Sequence, residues 1–260
     1  MCLITFAYKS HPEYSLILLA NRDEFYARPS KAMHFWQDHP NVLAGKDLEQ
    51  GGTWLGINQQ GKFTAVTNYR DGLASKENAL SRGALTRDFL TSDQDPTGYL
   101  KQLLPKQDKF GDYNLLIGDQ SGIYYQSNRE GPIRALNPGI YGLSNALLDS
   151  PWPKLIKVRS ELTNVLGDIQ FSPRSLLKIM SNRTQAETSE LPDTHIPLEW
   201  EQLLSSSFIQ SENYGTRATT LLLQKPNGET TIIEKSFGPD GFEKEQSFEL
   251  KIPAIGSDGD

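Results

Sequence analysis

Residues 1–24, MCLITFAYKSHPEYSLILLANRDE, contain the pattern that decides the fold. Two short apolar runs, residues 3–8 and 15–20, are separated by a polar segment that includes His11 and Pro12. Apolar runs of this length, divided by turn-forming residues, predict two β-strands joined as a hairpin. The chain therefore starts inside a sheet, and antiparallel pairing places the start of the first strand beside the end of the second.

Cys2 lies at the start of the first predicted strand. Removal of the initiator methionine, which is expected when a small residue follows, would leave Cys2 with a free α-amino group. That amine has a pKa of about 7.7 to 8.0 and the thiol one of about 8.5, so the amine accepts the thiol proton without a histidine. The alternative is that Cys2 is an ordinary small apolar residue at a strand start.

Four polar residues, Asn21, Arg22, Asp23 and Glu24, directly follow the second apolar run. If the two strands pair, these side chains surround the sulfur of Cys2. An arginine there favours the thiolate, and an aspartate hydrogen-bonds or orients the α-ammonium group. The alternative is a solvated strand end with a salt bridge inside the loop.

The rest of the chain alternates between strand-like and helical patterns. Strand-like runs occupy residues 42–45, 53–58, 63–68, 113–118, 123–126, 140–145, 218–224, 230–235 and 248–252. Apolar residues recur at helical spacing in residues 80–104, 152–166, 173–180 and 198–208. Hairpin-type connections predominate, which predicts a mixed α/β (α+β) fold with two antiparallel sheets between outer helices, a four-layer αββα sandwich. We expect a single domain over residues 1–260.

Composition narrows the classes of function. The 26 basic and 32 acidic residues give a net charge of −6, which argues against a nucleic-acid-binding protein. The sequence shows no membrane-spanning stretch and no signal peptide, and a single cysteine fits a reducing compartment, so we expect a cytoplasmic protein. The four histidines lack metal-site spacing, and we expect neither a metal nor a cofactor.

Three further residues in the chain also suggest a site. Asn145 carries an amide suited to stabilise an oxyanion, although it could instead be a turn asparagine. Arg217 lies in a strand that otherwise buries residues 221–223, and a charge there needs a partner. Trp54 either lines a pocket or packs in a hairpin core.

Six motifs together resemble the NRDE family, which includes the transport and Golgi organisation proteins of eukaryotes. They are MCLI at the start, NRDE at 21–24, GGTWLG at 51–56, TNYRD at 67–71, GLSN at 142–145 and YGTRATT at 214–220. The family is similar in layout to the N-terminal nucleophile hydrolases, especially the cysteine type represented by penicillin V acylase and bile salt hydrolase. The fold implied by that resemblance is again the αββα sandwich.

The resemblance implies roles for individual residues. Cys2 is the nucleophile, and Arg22 and Asp23 activate and orient it. Asn68 or Tyr69, together with Asn145, stabilises the oxyanion, and Arg217 is a supporting cation. Ligand binding involves Asn21, Glu24, Trp54 and Tyr69. The arginine and the aspartate are separated in those acylases but adjacent here. Because adjacent strand residues point to opposite faces, either Asp23 or Glu24 fills the acidic role.

Two functions follow from the resemblance. The first is hydrolysis of a linear amide through an acyl-thioester on Cys2. The alternative is a non-catalytic protein that binds and transports a hydrophobic ligand, haem or an acyl lipid such as acyl-CoA. We expect Cys2, Asp23, Asn145 and Arg217 to converge in one cleft, and Arg22 and Arg217 to depress the pKa of the Cys2 thiol.

Overall fold

The structure, a computed structural model, describes residues 2–73, 79–168 and 170–256. Its strands are β1 (Cys2–Tyr8), β2 (Leu16–Phe25), β3 (Ser30–Phe35), β4 (Val42–Asp47), β5 (Leu55–Asn58), β6 (Phe63–Asn68), β7 (Tyr113–Asp119), β8 (Gly122–Ser127), β9 (Arg134–Ala135), β10 (Gly139–Leu143), β11 (Tyr214–Gln224), β12 (Glu229–Gly238) and β13 (Gly241–Lys251). Its α-helices are α1 (Arg82–Thr91), α2 (Pro96–Leu103), α3 (Pro153–Leu166), α4 (Pro173–Ile179) and α5 (Leu198–Leu203).

The strands form two antiparallel sheets. Sheet A has six strands in the order β10-β1-β2-β11-β12-β13, and sheet B has seven in the order β3-β4-β5-β6-β7-β8-β9. The predicted hairpin is present, because β1 pairs with β2 over its whole length and Cys2 lies opposite Arg22. This hairpin lies in the interior of sheet A, between β10 and β11.

Alternation of side chains along β1 and β2 explains why both strands are buried on both faces. Ile4 and Phe6 on β1 and Leu18 on β2 belong to the core between the sheets. Their neighbours Leu3 and Leu19 belong to a second core beneath helices α3 and α4. A strand buried on both faces reads as a continuous apolar run, which is the pattern seen in residues 3–8 and 15–20.

Helices cover the outer face of each sheet. Helices α3 and α4 pack on sheet A, through residues that include Val158 and Leu177. Helices α1 and α2 pack on sheet B, through residues that include Phe89 and Leu100. The predicted four-layer αββα arrangement is therefore confirmed. In the part of the chain that the structure describes, no helix is long and apolar enough to cross a membrane.

Strand β3 was not predicted from the sequence, because only Met33 of its six residues is buried. Hydrogen bonds to the other sheet hold it. The backbone N–H of Met33 donates to the Glu234 carboxylate at 2.6 Å, and Gln246 Nε2 donates to the Met33 carbonyl at 3.1 Å. Glu234 is fully buried, and this burial raises its carboxyl pKa to about 7 even though the Met33 N–H opposes the shift.

Replacing Glu234 by glutamine is expected to flatten the dependence of stability on pH. The unfolded carboxyl ionises near pH 4.5, whereas the folded one stays protonated up to about pH 7. The folded state therefore binds an extra proton between these values, and the wild type loses about 3 kcal/mol of unfolding free energy as the pH rises through this window. Urea unfolding at about pH 5 and about pH 8 checks this. An equal loss in both proteins would contradict it.

Candidate active site

A cleft of about 310 Å³ opens where β1 starts and β2 ends, and we call it the Cys2 cleft. It is lined by Cys2, Arg22, Asp23, Glu24, Arg28, Asp47, Gln50, Thr53, Trp54, Val66, Asn68, Ala79, Leu80, Ser81, Arg82, Gly83 and Gly111. The two sheets and the start of α1 all contribute to this lining. Six of these residues are charged, which suits a small polar ligand more than an extended apolar one.

Arg22 is placed beside Cys2 by the register of the hairpin. The two residues lie opposite each other on β1 and β2, and both side chains are on the face of the hairpin that is directed toward sheet B. The Arg22 guanidinium lies 4.3 Å from the centre of the Trp54 ring. The Trp54 ring in turn lies against Gly45, where a Cβ atom would be only 2.2 Å from the indole. Glycine at position 45 therefore makes room for the tryptophan that supports Arg22.

The Cys2 thiol is buried, with 9% of the residue exposed. Burial raises the pKa of this thiol above its ordinary value, the Asp23 carboxylate raises it further, and Arg22 opposes both. The expectation of a depressed thiol pKa is therefore wrong, because the desolvation of a thiolate outweighs the attraction of the arginine. A thiol of this kind stays protonated at neutral pH and needs a base to become a nucleophile.

Asp23 and Glu24 have different surroundings. The Asp23 carboxylate is buried on the side of sheet A that faces the helices, where it accepts a hydrogen bond from Thr216 Oγ1 at 2.7 Å. Burial raises its carboxyl pKa, and the buried ammonium group of Lys154 opposes the shift most strongly. Glu24 is partly exposed in the cleft and lies 3.9 Å from Arg22. Glu24 thus shares the face of Arg22, and Asp23 supplies the buried negative charge.

The predicted oxyanion residues also differ in their placement. Asn68 lines the Cys2 cleft at the end of β6, and its side-chain amide makes no hydrogen bond to the described residues. Asn145 is fully buried, and its Nδ2 donates to the Asn68 backbone carbonyl at 3.0 Å. Tyr69 lies beneath the guanidinium of Arg129, outside the cleft lining. Among these three, Asn68 has the amide that is open to a ligand.

Asn21 and Arg217 lie outside the Cys2 cleft. Asn21 is fully buried, and its Nδ2 donates to the carbonyls of Met180 and Ser207 at 2.8 and 2.7 Å. Arg217 donates to the carbonyls of Phe25, Tyr26, Arg28 and Phe237, all within 3.3 Å. It lines a neighbouring cavity of about 270 Å³ that shares Arg22 and Trp54 with the cleft. Both residues hold the end of β2 in place.

Two cations near Cys2 were not identified from the sequence. Lys154 is 5% exposed and donates to the Leu204 carbonyl at 2.7 Å, and burial lowers its pKa to about 8 despite the nearby Asp23. In the sequence, Lys154 lies four residues before Val158, which places it on the buried face of α3. Arg82 lines the cleft as the first residue of α1. The spacing of apolar residues in the sequence does not distinguish it from a solvated residue at a helix end.

Comparisons with known proteins find close sequence relatives. The model of the family described as Transport and Golgi organisation 2 matches residues 1–239. The chain is 38% identical to the human Transport and Golgi organization protein 2 homolog over 261 residues, covering 91% of this chain and 93% of the relative. Its bovine homolog is 36% identical with the same coverage, and the Drosophila melanogaster protein is 28% identical, covering 91% of this chain and 92% of the relative.

Two solved structures share the fold at low sequence identity. A Caenorhabditis elegans ortholog of N-acylethanolamine-hydrolyzing acid amidase has a TM-score of 0.52 at 14% identity, covering 85% of this chain and 92% of that chain. A mutant of conjugated bile acid hydrolase from Clostridium perfringens also has a TM-score of 0.52, at 10% identity, covering 98% of this chain and 95% of that one. The two-sheet architecture is thus the one found in these hydrolases.

Proposed function

The chain belongs to the Transport and Golgi organisation 2 family, and from that premise we propose that it hydrolyses a linear amide as an N-terminal nucleophile enzyme with Cys2 as nucleophile. The observation that carries the proposal is the position of Cys2. It lies at the first residue of an interior strand, opposite Arg22, and it lines a cleft that also presents the Asn68 amide. The hydrolase fold of the structural neighbours supports this proposal.

The proposed reaction has two steps. After removal of Met1, which lies outside the described residues, the α-amine of Cys2 takes the thiol proton and the sulfur attacks the amide carbonyl carbon. The C–N bond breaks, the proton passes to the leaving amine, and an acyl-thioester remains on Cys2. Water, deprotonated by the same amine, then attacks the thioester, which releases the carboxylic acid and restores the thiol.

The surrounding residues assist this chemistry in distinct ways. The Asn68 amide donates to the oxyanion of the tetrahedral intermediate, a contribution of about 3 to 4 kcal/mol. Arg22 stabilises the negative charge that develops on the sulfur, since its guanidinium is fixed over Trp54. Asp23 orients the α-ammonium group from the helix side of the sheet, where Thr216 fixes its carboxylate. Because burial raises the pKa of the thiol, the scheme requires the α-amine to remove the thiol proton.

A non-catalytic binding protein is the second candidate. The buried, protonated thiol favours it, since a thiol without a base is inert. Haem or an acyl lipid would then be the ligand. The charged lining of the Cys2 cleft is a poor match to a large apolar group, and this supports the enzyme as the first candidate.

The state of the N-terminus separates the two functions. We expect protein that begins at Cys2 to release amine from short N-acyl amides, because the α-amine is the base. A tag fused before Cys2 blocks this amine, so that protein is expected to be inactive. The control is protein that begins at Cys2 and carries the same tag at its C-terminus. Measurement of released amine, with intact mass recorded for each preparation, checks this. Equal activity with a blocked N-terminus would contradict the proposed mechanism.

A further inference from the structure

Most charges in the Cys2 cleft are neutralised by a partner. Arg28 Nε lies 2.7 Å from the Asp47 carboxylate, and Glu24 lies 3.9 Å from both Arg28 and Arg22. Asp23 is held by Thr216 on the helix side. The three carboxylates outnumber the two arginines, so neither Arg22 nor Arg28 supplies an excess positive charge to a ligand.

Arg82 differs from the other two arginines of the cleft. Within the described residues no carboxylate oxygen lies within 4.0 Å of its guanidinium, and its one hydrogen bond is from Nη1 to the Asp112 carbonyl at 3.2 Å. A guanidinium has five N–H donors, so four of them are left for other acceptors. The side chain is partly buried, and burial lowers its pKa although the Asp112 and Glu24 carboxylates oppose the shift.

The backbone around Arg82 holds its guanidinium in place. It lies over Gly111, where a Cβ atom would be 3.1 Å from Nη1, so a side chain at position 111 would push the guanidinium by a few tenths of an ångström. The neighbouring Asp112 carbonyl fixes the same nitrogen. Because Gly111 and Arg82 both line the cleft that contains Cys2, the free donors are presented to a bound ligand.

We propose that Arg82 binds a carboxylate group of the substrate, so that the preferred substrates are amides that carry a negative charge near the scissile bond. A fixed arginine with unused donors binds carboxylates through two parallel hydrogen bonds. The small volume of the cleft, about 310 Å³, places this group close to Cys2. The inference rests on the proposed function for its identification of the ligand as a substrate.

Binding to the Cys2→Ala protein tests the inference without requiring turnover. Two pairs of probes place the carboxylate on either side of the amide bond. N-hexanoylglycine, compared with N-hexanoylglycinamide, carries it on the amine portion. N-butylsuccinamic acid, compared with N-butylsuccinamide, carries it on the acyl portion. In at least one pair we expect the acid to bind about ten-fold or more tighter than its neutral amide, by calorimetry. Arg82→Gln should abolish that preference and leave the affinity for the neutral probe unchanged, and Arg82→Lys should retain part of it.

Arg87→Gln, on the same helix and already paired with Asp88 at 2.7 Å, is the matched control and should bind like the parent. Thermal unfolding of each variant confirms that a folded protein is compared. The inference is wrong if neither acid is preferred in the parent, if no probe binds, or if Arg82→Gln weakens acid and neutral probe equally. If the protein releases no amine but retains the Arg82-dependent preference for the acid, the proposed function is refuted and the inference about Arg82 stands.

Discussion

Cys2→Ala is expected to lower the rate of amide hydrolysis by about four orders of magnitude or more, because no other residue replaces a missing nucleophile. The fold should be retained. Cys2 is a small residue at the edge of the core, and no hydrogen bond to its sulfur is found among the described residues. Steady-state release of amine from an N-acyl amide, with thermal unfolding in parallel, checks both parts of the prediction.

Asn68→Ala serves as a comparison for Cys2→Ala. It removes one oxyanion donor and keeps the nucleophile, so its rate should fall by about 10²- to 10³-fold. If the alanine variant at position 2 kept more than a few per cent of wild-type activity while folded, Cys2 would not be the nucleophile.

Glu201→Ala is expected to reduce the free energy of unfolding by about 3 to 5 kcal/mol, because it leaves the charge of Arg70 buried and unpaired. Arg70 and Glu201 form an ion pair at 2.5 Å, with side chains 7% and 4% exposed. Arg70 also stacks on Trp152 at 4.5 Å and donates to Thr194 Oγ1 at 2.9 Å. Urea unfolding monitored by circular dichroism measures the loss.

Two variants make the test of the ion pair specific. Glu199→Ala removes an exposed carboxylate from the same helix α5 and should change stability by no more than about 0.5 kcal/mol. The double variant Arg70→Met with Glu201→Leu removes both charges and should cost less than Glu201→Ala alone, since no unpaired ion is left. A double variant less stable than the single one would show that packing, not charge, explains the loss.

The sequence predicted the hairpin that brings residues 21–24 close to Cys2, because its cause is local. Two apolar runs joined by a short polar segment pair readily, whereas the register that puts Cys2 opposite Arg22 comes from the structure. Alternation along β2 then places Arg22 and Glu24 on one face and Asp23 on the other. The open choice between Asp23 and Glu24 could be stated from the sequence, but only the burial of Asp23 beside Thr216 and Lys154 distinguishes them.

The placement of Arg217 could not be predicted by the same reasoning. In β11, Thr216 pairs with Asp23 and Ala218 pairs with Arg22, so Arg217 is an extra residue in a β-bulge. A bulge shifts the alternation by one residue and turns a side chain out of its expected face. Sequence periodicity alone does not reveal where such a residue occurs, and Arg217 therefore lines the neighbouring cavity.

Non-local burial accounts for the other differences. Strand β3 has only one buried residue and is held by Glu234 and Gln246, about 200 residues further along the chain. The thiol pKa of Cys2 depends on how completely the two sheets exclude water, and no local pattern encodes that. Arg82 lines the cleft with its guanidinium against Gly111, a contact between distant parts of the chain that no local pattern encodes.

The acyl-enzyme on Cys2 can be detected from the mass of the protein after rapid acid quenching during turnover of an N-acyl amide. We expect a fraction of molecules that lack Met1 and carry one acyl group, which hydroxylamine removes and which peptide mapping assigns to Cys2. Turnover with unmodified Cys2, or with the acyl group on another residue, would contradict it.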